Sequence, residues 1–179
     1  MRRTPEVASL SLRNKLARGL WNVVWLILYR PTPRPLHAWR CFLLRLFGAE
    51  IGKKVHPYPS AKIWAPWNLI MGDHSCLSEY VDCYSVATIK IGQRSTVSQY
   101  SFLCTASHDY SSREFPLITA PIDIGSDVWI TSDVFIGPGV SIGDGSVVGA
   151  RSTVLHDVPE WSVCCGNPAV PIKKRVLLD

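Results

Sequence analysis

Residues 124–159 read "IGSDVWITSDVFIGPGVSIGDGSVVGARSTVLHDVP", and they keep six-residue time throughout. Ile124, Ile130, Ile136, Ile142, Val148 and Val154 open successive hexads, and Val128, Val134, Val140, Ser146, Ser152 and Val158 fill their fifth positions. The same pattern extends back to Ile51. It runs through Pro57 and Ile63, then Met71, Leu77 and Cys83, then Ile91, Val97 and Leu103. Twelve of these fifteen first positions are Ile, Leu or Val, fourteen of fifteen fifth positions are Ser, Ala or Val, and Gly takes the second position in seven hexads. Neither an amphipathic helix nor a lone strand has a six-residue period, so the chain must coil. One hexad per face makes a triangular prism, with an aliphatic side chain inward and a small one at each corner. The spacing predicts an all-β solenoid of about five parallel turns stacked at about 4.8 Å over residues 51–159.

Each turn takes eighteen residues, and the surplus residues are 69–70, 89–90 and 109–123. All three insertions fall between a third face and the next first face, so all leave at one corner. The long loop 109–123 follows His108 directly and contains Phe115, Leu117 and Ile118, which are costly to leave in water. A loop of this length serves a site or an interface more often than it idles. It is expected to pack those side chains against another surface.

The rest of the chain divides into a helical cap over residues 1–50 and a tail over 160–179. Leu12, Leu16, Leu20, Val23 and Ile27 share one helix face, Pro31 stops that helix, and a second runs from about Leu36 to Phe47 and closes at Gly48. The run 20–29 is too short to span a bilayer and has no cleavage site behind it. Residues 1–50 carry nine basic residues against Glu6 and Glu50, a net of +7, whereas the other 129 carry ten basic and twelve acidic, a net of −2. The basic character thus belongs to the cap. With its aromatics it suits peripheral contact with an anionic membrane, while capping protects the open strand edges of the prism. No nucleic-acid motif accompanies the charge, so no nucleic-acid partner is expected. The six cysteines form no CxxC pair; they read as reduced thiols in a cytoplasmic protein.

For chemistry, His108 stands out. A histidine of ordinary pKa, about 6.5, is largely unprotonated at neutral pH yet basic enough to take a hydroxyl proton. Asp109, Glu114 and Glu79 are candidate partners for its second ring nitrogen. No cysteine stands in a Cys–His pairing, so no thiol reads as an activated nucleophile. His37, His56 and His156 read as surface or structural histidines. His74 and His108 could be two ligands of a zinc hydratase on the same prism, but no third histidine stands near, and no metal is expected.

Together the hexads, "TASHDY" (105–110) and "GSDVWI" (125–130) resemble the left-handed parallel β-helix acyltransferases of the hexapeptide-repeat family. The C-terminal stretch 136–175, with its "GNPA", resembles that family's last coil and tail. Residues 16–55 resemble the colanic-acid-type acetyltransferases of bacterial exopolysaccharide clusters. The resemblance implies acetyl transfer from acetyl-CoA to a hydroxyl of a sugar or lipid-linked glycan, in a homotrimer with sites between subunits. It implies His108 as general base, with Glu79 and Asp109 as candidate catalytic carboxylates. It implies donor contacts from Trp129, the backbone N–H groups of Thr131 and Ser132, Ala150, and Lys173, Lys174 and Arg175 toward phosphates. Thr131, Arg151, Val170 and Pro171 depart from the usual residues at their positions. A drug-like acceptor and a non-catalytic scaffold are the alternative readings; the N-terminal resemblance favours a sugar.

Overall fold

The computed structural model describes Glu6–Val7 and residues 11–177; Arg2 and Arg3 of the basic segment lie outside the described residues. Its body is a three-faced parallel β-solenoid. The first face stacks Glu50–Ile51, Leu69–Met71, Ile89–Ile91, Ile122–Ile124 and Ser141–Ile142. The second stacks His56–Pro57, Cys76–Leu77, Thr96–Val97, Trp129–Ile130, Val147–Val148 and Ser162–Gly166. The third stacks Lys62–Ile63, Asp82–Tyr84, Phe102–Cys104, Phe135–Ile136 and Thr153–Val154. The pairs run Ile51↔Met71, Met71↔Ile91, Ile91↔Ile124 and Ile124↔Ile142 on the first face. The other two faces keep the same register. The coil also continues past residue 159. Val158 bridges Ile142, and Ser162–Gly166 adds a strand to the second face, giving a partial sixth turn where a tail was expected. The remainder of that tail, Ala169–Lys174, folds back antiparallel on Ser162–Gly166.

Local chemistry explains the hexad. The inward first positions are buried, Leu77, Val97, Ile130 and Ile136 completely. The fourth position turns the corner in the left-handed region, as at His74, Arg94, Asp127 and Gly145. Asp and Gly, as at Asp127, Asp133, Gly139 and Gly145, tolerate that conformation better than most residues. Most fifth positions are buried, and several of their serines bond across turns. Ser95 Oγ donates to the carbonyl of Gly125 at 2.6 Å and accepts the N–H of Val128 at 3.0 Å. Ser101 makes the same pair of bonds with Thr131 and Val134. These hydroxyls knit the third turn to the fourth across the long insertion. Gly92 has a separate reason: a Cβ there would run into the backbone of Gly125 on the next turn.

The N-terminal segment forms α1 (Leu12–Val24), a π-helical turn (Trp25–Tyr29) and α2 (His37–Leu46). Ser11 caps α1 by accepting the N–H of Asn14. Along the faces of the coil the ladder N–H groups donate to the next turn, as His56 does to Ser75 and Lys62 to Val81, so the matching carbonyls of the first turn point out of the open end with no strand to receive them. The helices supply the donors. Arg45 donates to Ile51, Cys41 Sγ to Val55, Arg40 Nε to Pro57, Trp25 Nε1 to Ala61 and Trp21 Nε1 to Ile63. Five outward carbonyls thus meet five side chains, and the segment is a cap in the strict sense. Arg40, fully buried, also ties down the linker through Thr32, Pro33 and Arg34.

The stripe Leu12, Leu16, Leu20, Val23 and Ile27 does not face the prism; each is more than half exposed, and Trp21 and Tyr29 are buried instead. Indole N–H groups can satisfy carbonyls and leucines cannot, so the tryptophan side of α1 goes inward.

Candidate active site

The insertion after the third turn is an antiparallel hairpin. Ala106–His108 pairs with Leu117–Thr119, and Glu6–Val7 adds a third strand alongside Leu117–Thr119. The chain leaves the coil earlier than its periodicity implies: Ser107, counted as a small corner residue, is exposed on the hairpin. Thr105 Oγ1 anchors the exit by donating to the carbonyl of Tyr84 and accepting the N–H of Ala87.

His108 is the last residue of the outgoing strand, exposed and opposite Leu117. Its Nδ1 lies 2.8 Å from the carbonyl oxygen of Phe115. A carbonyl only accepts, so Nδ1 carries the proton and Nε2 presents a lone pair outward. The imidazole also stacks on the Phe115 ring, with centroids 4.8 Å apart and planes 9° apart. Phe115 reaches this position with φ of +47°, an uncommon conformation for a bulky residue. Sequence reasoning missed this partner, because a backbone carbonyl seven residues away leaves no residue-type signal.

The carboxylates stand elsewhere. Asp109 accepts the N–H and hydroxyl of Ser111, which organises the hairpin turn and holds its carboxyl below the ordinary carboxylate range. Glu114 is exposed in the same turn, where its N–H bonds Ser112 Oγ. Glu79 sits at the corner between the second and third faces, ion-paired with Arg34. None of the three is the partner of His108 Nδ1.

Trp129, Thr131, Ser132, Ala150, Lys173 and Lys174 come together on another side of the molecule. Trp129 lies on the outside of the second face, half exposed, with Nε1 donating to Ser98 Oγ at 3.0 Å. Below it in register come Val147, Val163 and Lys173. Ser132 and Ala150 follow at the adjoining corner. The N–H of Thr131 is spent in the ladder on the carbonyl of Val148, which corrects its assignment as a free donor. Ser132 differs. On the neighbouring corner, Asp144 Oδ1 accepts the equivalent N–H, that of Ser126, at 2.7 Å. Under Ser132 the corresponding residue is Ala150, which has no acceptor, so the N–H of Ser132 stays open. Lys173 and Lys174 are exposed. Arg175 is held against the coil, its Nη1 donating to the carbonyls of Asp127 and Gly145.

His108 leaves from the corner between the third and first faces, and Trp129 lies on the second. In a three-sided prism that corner and that face are opposite, so a single chain holds the histidine and the Trp129 surface apart. Among the described residues no three His, Cys, Asp or Glu side chains gather as a metal site, and no helix is long and apolar enough to cross a membrane.

A hexad-built coil with a histidine-bearing hairpin at one corner defines a class, the hexapeptide-repeat transferases, and comparison with known proteins agrees. The bacterial transferase hexapeptide family (six repeats) matches residues 121–156. The chain is 48% identical over 163 residues to the "Putative colanic acid biosynthesis acetyltransferase WcaF" of Escherichia coli (strain K12), covering 91% of this chain and 90% of that one. A maltose O-acetyltransferase from Clostridium difficile 630 superposes with a TM-score of 0.84 at 27% identity, over 93% of this chain and 90% of the other. A hexapeptide-repeat acetyltransferase from Vibrio cholerae O1 biovar eltor, complexed with acetyl coenzyme A, gives 0.82 at 28% identity over 92% and 90%. The chain belongs to the bacterial hexapeptide-repeat acetyltransferases.

Proposed function

We propose that the protein transfers acetyl from acetyl-CoA to a hydroxyl of a sugar or lipid-linked glycan precursor, by direct attack in a ternary complex. The observation that carries this reading is the Phe115 carbonyl on His108 Nδ1, which leaves Nε2 as a positioned base. Nε2 accepts the hydroxyl proton as the oxygen attacks the thioester carbon. The new C–O bond forms, the C–S bond breaks, and the proton passes from Nε2 to sulfur, giving the ester and coenzyme A thiol. An N–H such as that of Ser132, aimed at the developing oxyanion, contributes about 3 kcal/mol. The acceptor class rests on the sugar and glycan acetyltransferases among the relatives.

The opposite placement of His108 and the Trp129 groove favours a homotrimer in which one subunit's histidine meets its neighbour's groove. The six free thiols suit a reducing, cytoplasmic setting. The test compares wild type with His108→Ala. Acetyl ester on the surface glycan, read by mass spectrometry, is lost in the variant, and kcat falls roughly 10²–10⁴-fold with acetyl-CoA binding retained. Near-normal turnover by His108→Ala overturns the mechanism.

A further inference from the structure

The cap has a second side. Trp21 on α1 and Trp25 at the start of the π-helical turn reach down to the outward-pointing carbonyls of the first turn. At 100° per residue, Leu12, Leu16, Leu20, Val23 and Ile27 fall about half a turn around the helix from them. These five therefore point away from the prism, along its axis. The same holds on α2: Arg40, Cys41 and Leu44 are buried against the coil, and Trp39, Phe42 and Leu46 are exposed on the other side. Trp39 Nε1 donates to the carbonyl of Leu28 at 2.9 Å, joining the two helices' outward faces into one apolar plateau. Among the described residues nothing covers it.

Charge identifies the occupant. Residues 12–49 contain seven arginines and lysines and no Asp or Glu. Arg13, Lys15 and Arg30 are exposed around the plateau. A protein partner matched to an apolar face needs no such one-signed surround, whereas an anionic bilayer attracts each basic residue and accepts the leucines at its acyl boundary. The plateau's position adds weight. It closes the end of a straight prism, so coils standing side by side would present their caps in a single plane. We infer that the cap docks the protein end-on to an anionic lipid surface through Leu16, Leu20, Phe42 and their neighbours.

End-on docking fixes where the chemistry sits. The His108 hairpin leaves after the third turn, two coil spacings of about 4.8 Å plus a helix thickness of about 10 Å beneath the plateau. That is about 20 Å from the lipid, a height suited to a glycan tethered there. The docking itself does not depend on the acetyl-transfer reading.

The test is vesicle flotation with the full chain, using phosphatidylcholine alone or with about a third phosphatidylglycerol, at low and high salt. Wild type is expected to float with the anionic vesicles, and less so at high salt. The combined Leu16→Glu, Leu20→Glu and Phe42→Glu variant is expected to bind at least about 100-fold more weakly, with an unchanged melting temperature because these side chains are exposed. Should that variant fold poorly, Arg13→Gln with Lys15→Gln takes its place and is expected to reduce anionic-vesicle binding about tenfold. Wild type left unfloated, or variants floating as wild type does, overturns the inference. So does a doubling of wild-type mass through the plateau without vesicle binding, which would assign the face to a second copy of the protein.

Discussion

The imidazole of His108 and the ring of Phe115 lie parallel, and the same Phe115 supplies the carbonyl that holds His108 Nδ1. One residue thus sets both the tilt and the tautomer of the histidine. Phe115→Gly keeps the carbonyl and suits the positive φ, but removes the stack. It is expected to lower kcat about tenfold with little change in KM for acetyl-CoA, while ¹⁵N NMR still finds the proton on Nδ1. Unchanged kcat would show that the stack has no positioning role.

Ala150→Asp places a carboxylate beneath the N–H of Ser132, as Asp144 stands beneath Ser126. The open donor becomes occupied, and a negative charge enters the groove. KM for acetyl-CoA is expected to rise about 10–100-fold with no loss of thermal stability. Donor kinetics together with a melt check this; an unchanged KM would remove Ser132 from the donor site.

Trp21→Phe leaves the carbonyl of Ile63 without a donor in a buried setting. The cost is about 1–3 kcal/mol, or roughly 3–10 °C in Tm for a domain of this size. Trp39→Phe removes a bond to Leu28 at the exposed face, where water can substitute, and is expected to shift Tm far less. Equal shifts in thermal denaturation would contradict the carbonyl accounting of the cap.

Arg94 donates two hydrogen bonds to Asp127, at 2.7 and 2.6 Å, and holds that carboxyl below its ordinary range. A depressed pKa stabilises the fold above the ordinary carboxylate value of about 4, and the contribution disappears as pH falls through the folded value. Both side chains are largely exposed, so solvent screening keeps the effect small. Arg94→Ala is expected to melt slightly lower than wild type at pH 7, with the gap closing as pH falls through the folded pKa of Asp127. A gap that widens on acidification would reverse the sign and refute the pairing.

The coil was legible because its signal is geometric: every inward residue from Ile51 to Val154 takes the pairing that six-residue counting assigns it. Three features were not legible, each for its own reason. The hairpin's third strand, Glu6–Val7, joins Thr119 and Ile118 from more than a hundred residues away, where no periodicity reaches. The leucine stripe of α1 announced an apolar face but not its direction, which the indole donors of Trp21 and Trp25 decided. Arg175 stood in a basic run, yet two backbone carbonyls claim it. The occupied N–H of Thr131 was, by contrast, readable in advance. Second positions such as Gly52, Ser78 and Gly125 all donate to the next turn, and Thr131 follows them.

Every departure from eighteen-residue turns leaves at the corner that carries the His108 hairpin, and residues added or removed there shift no pair in the three ladders. The groove of Trp129, Ser132 and Ala150 lies across the prism from that corner. The hairpin can therefore diverge in length and sequence while the opposite side stays as it is. Length is thus a free parameter at one corner and a fixed one everywhere else on the prism.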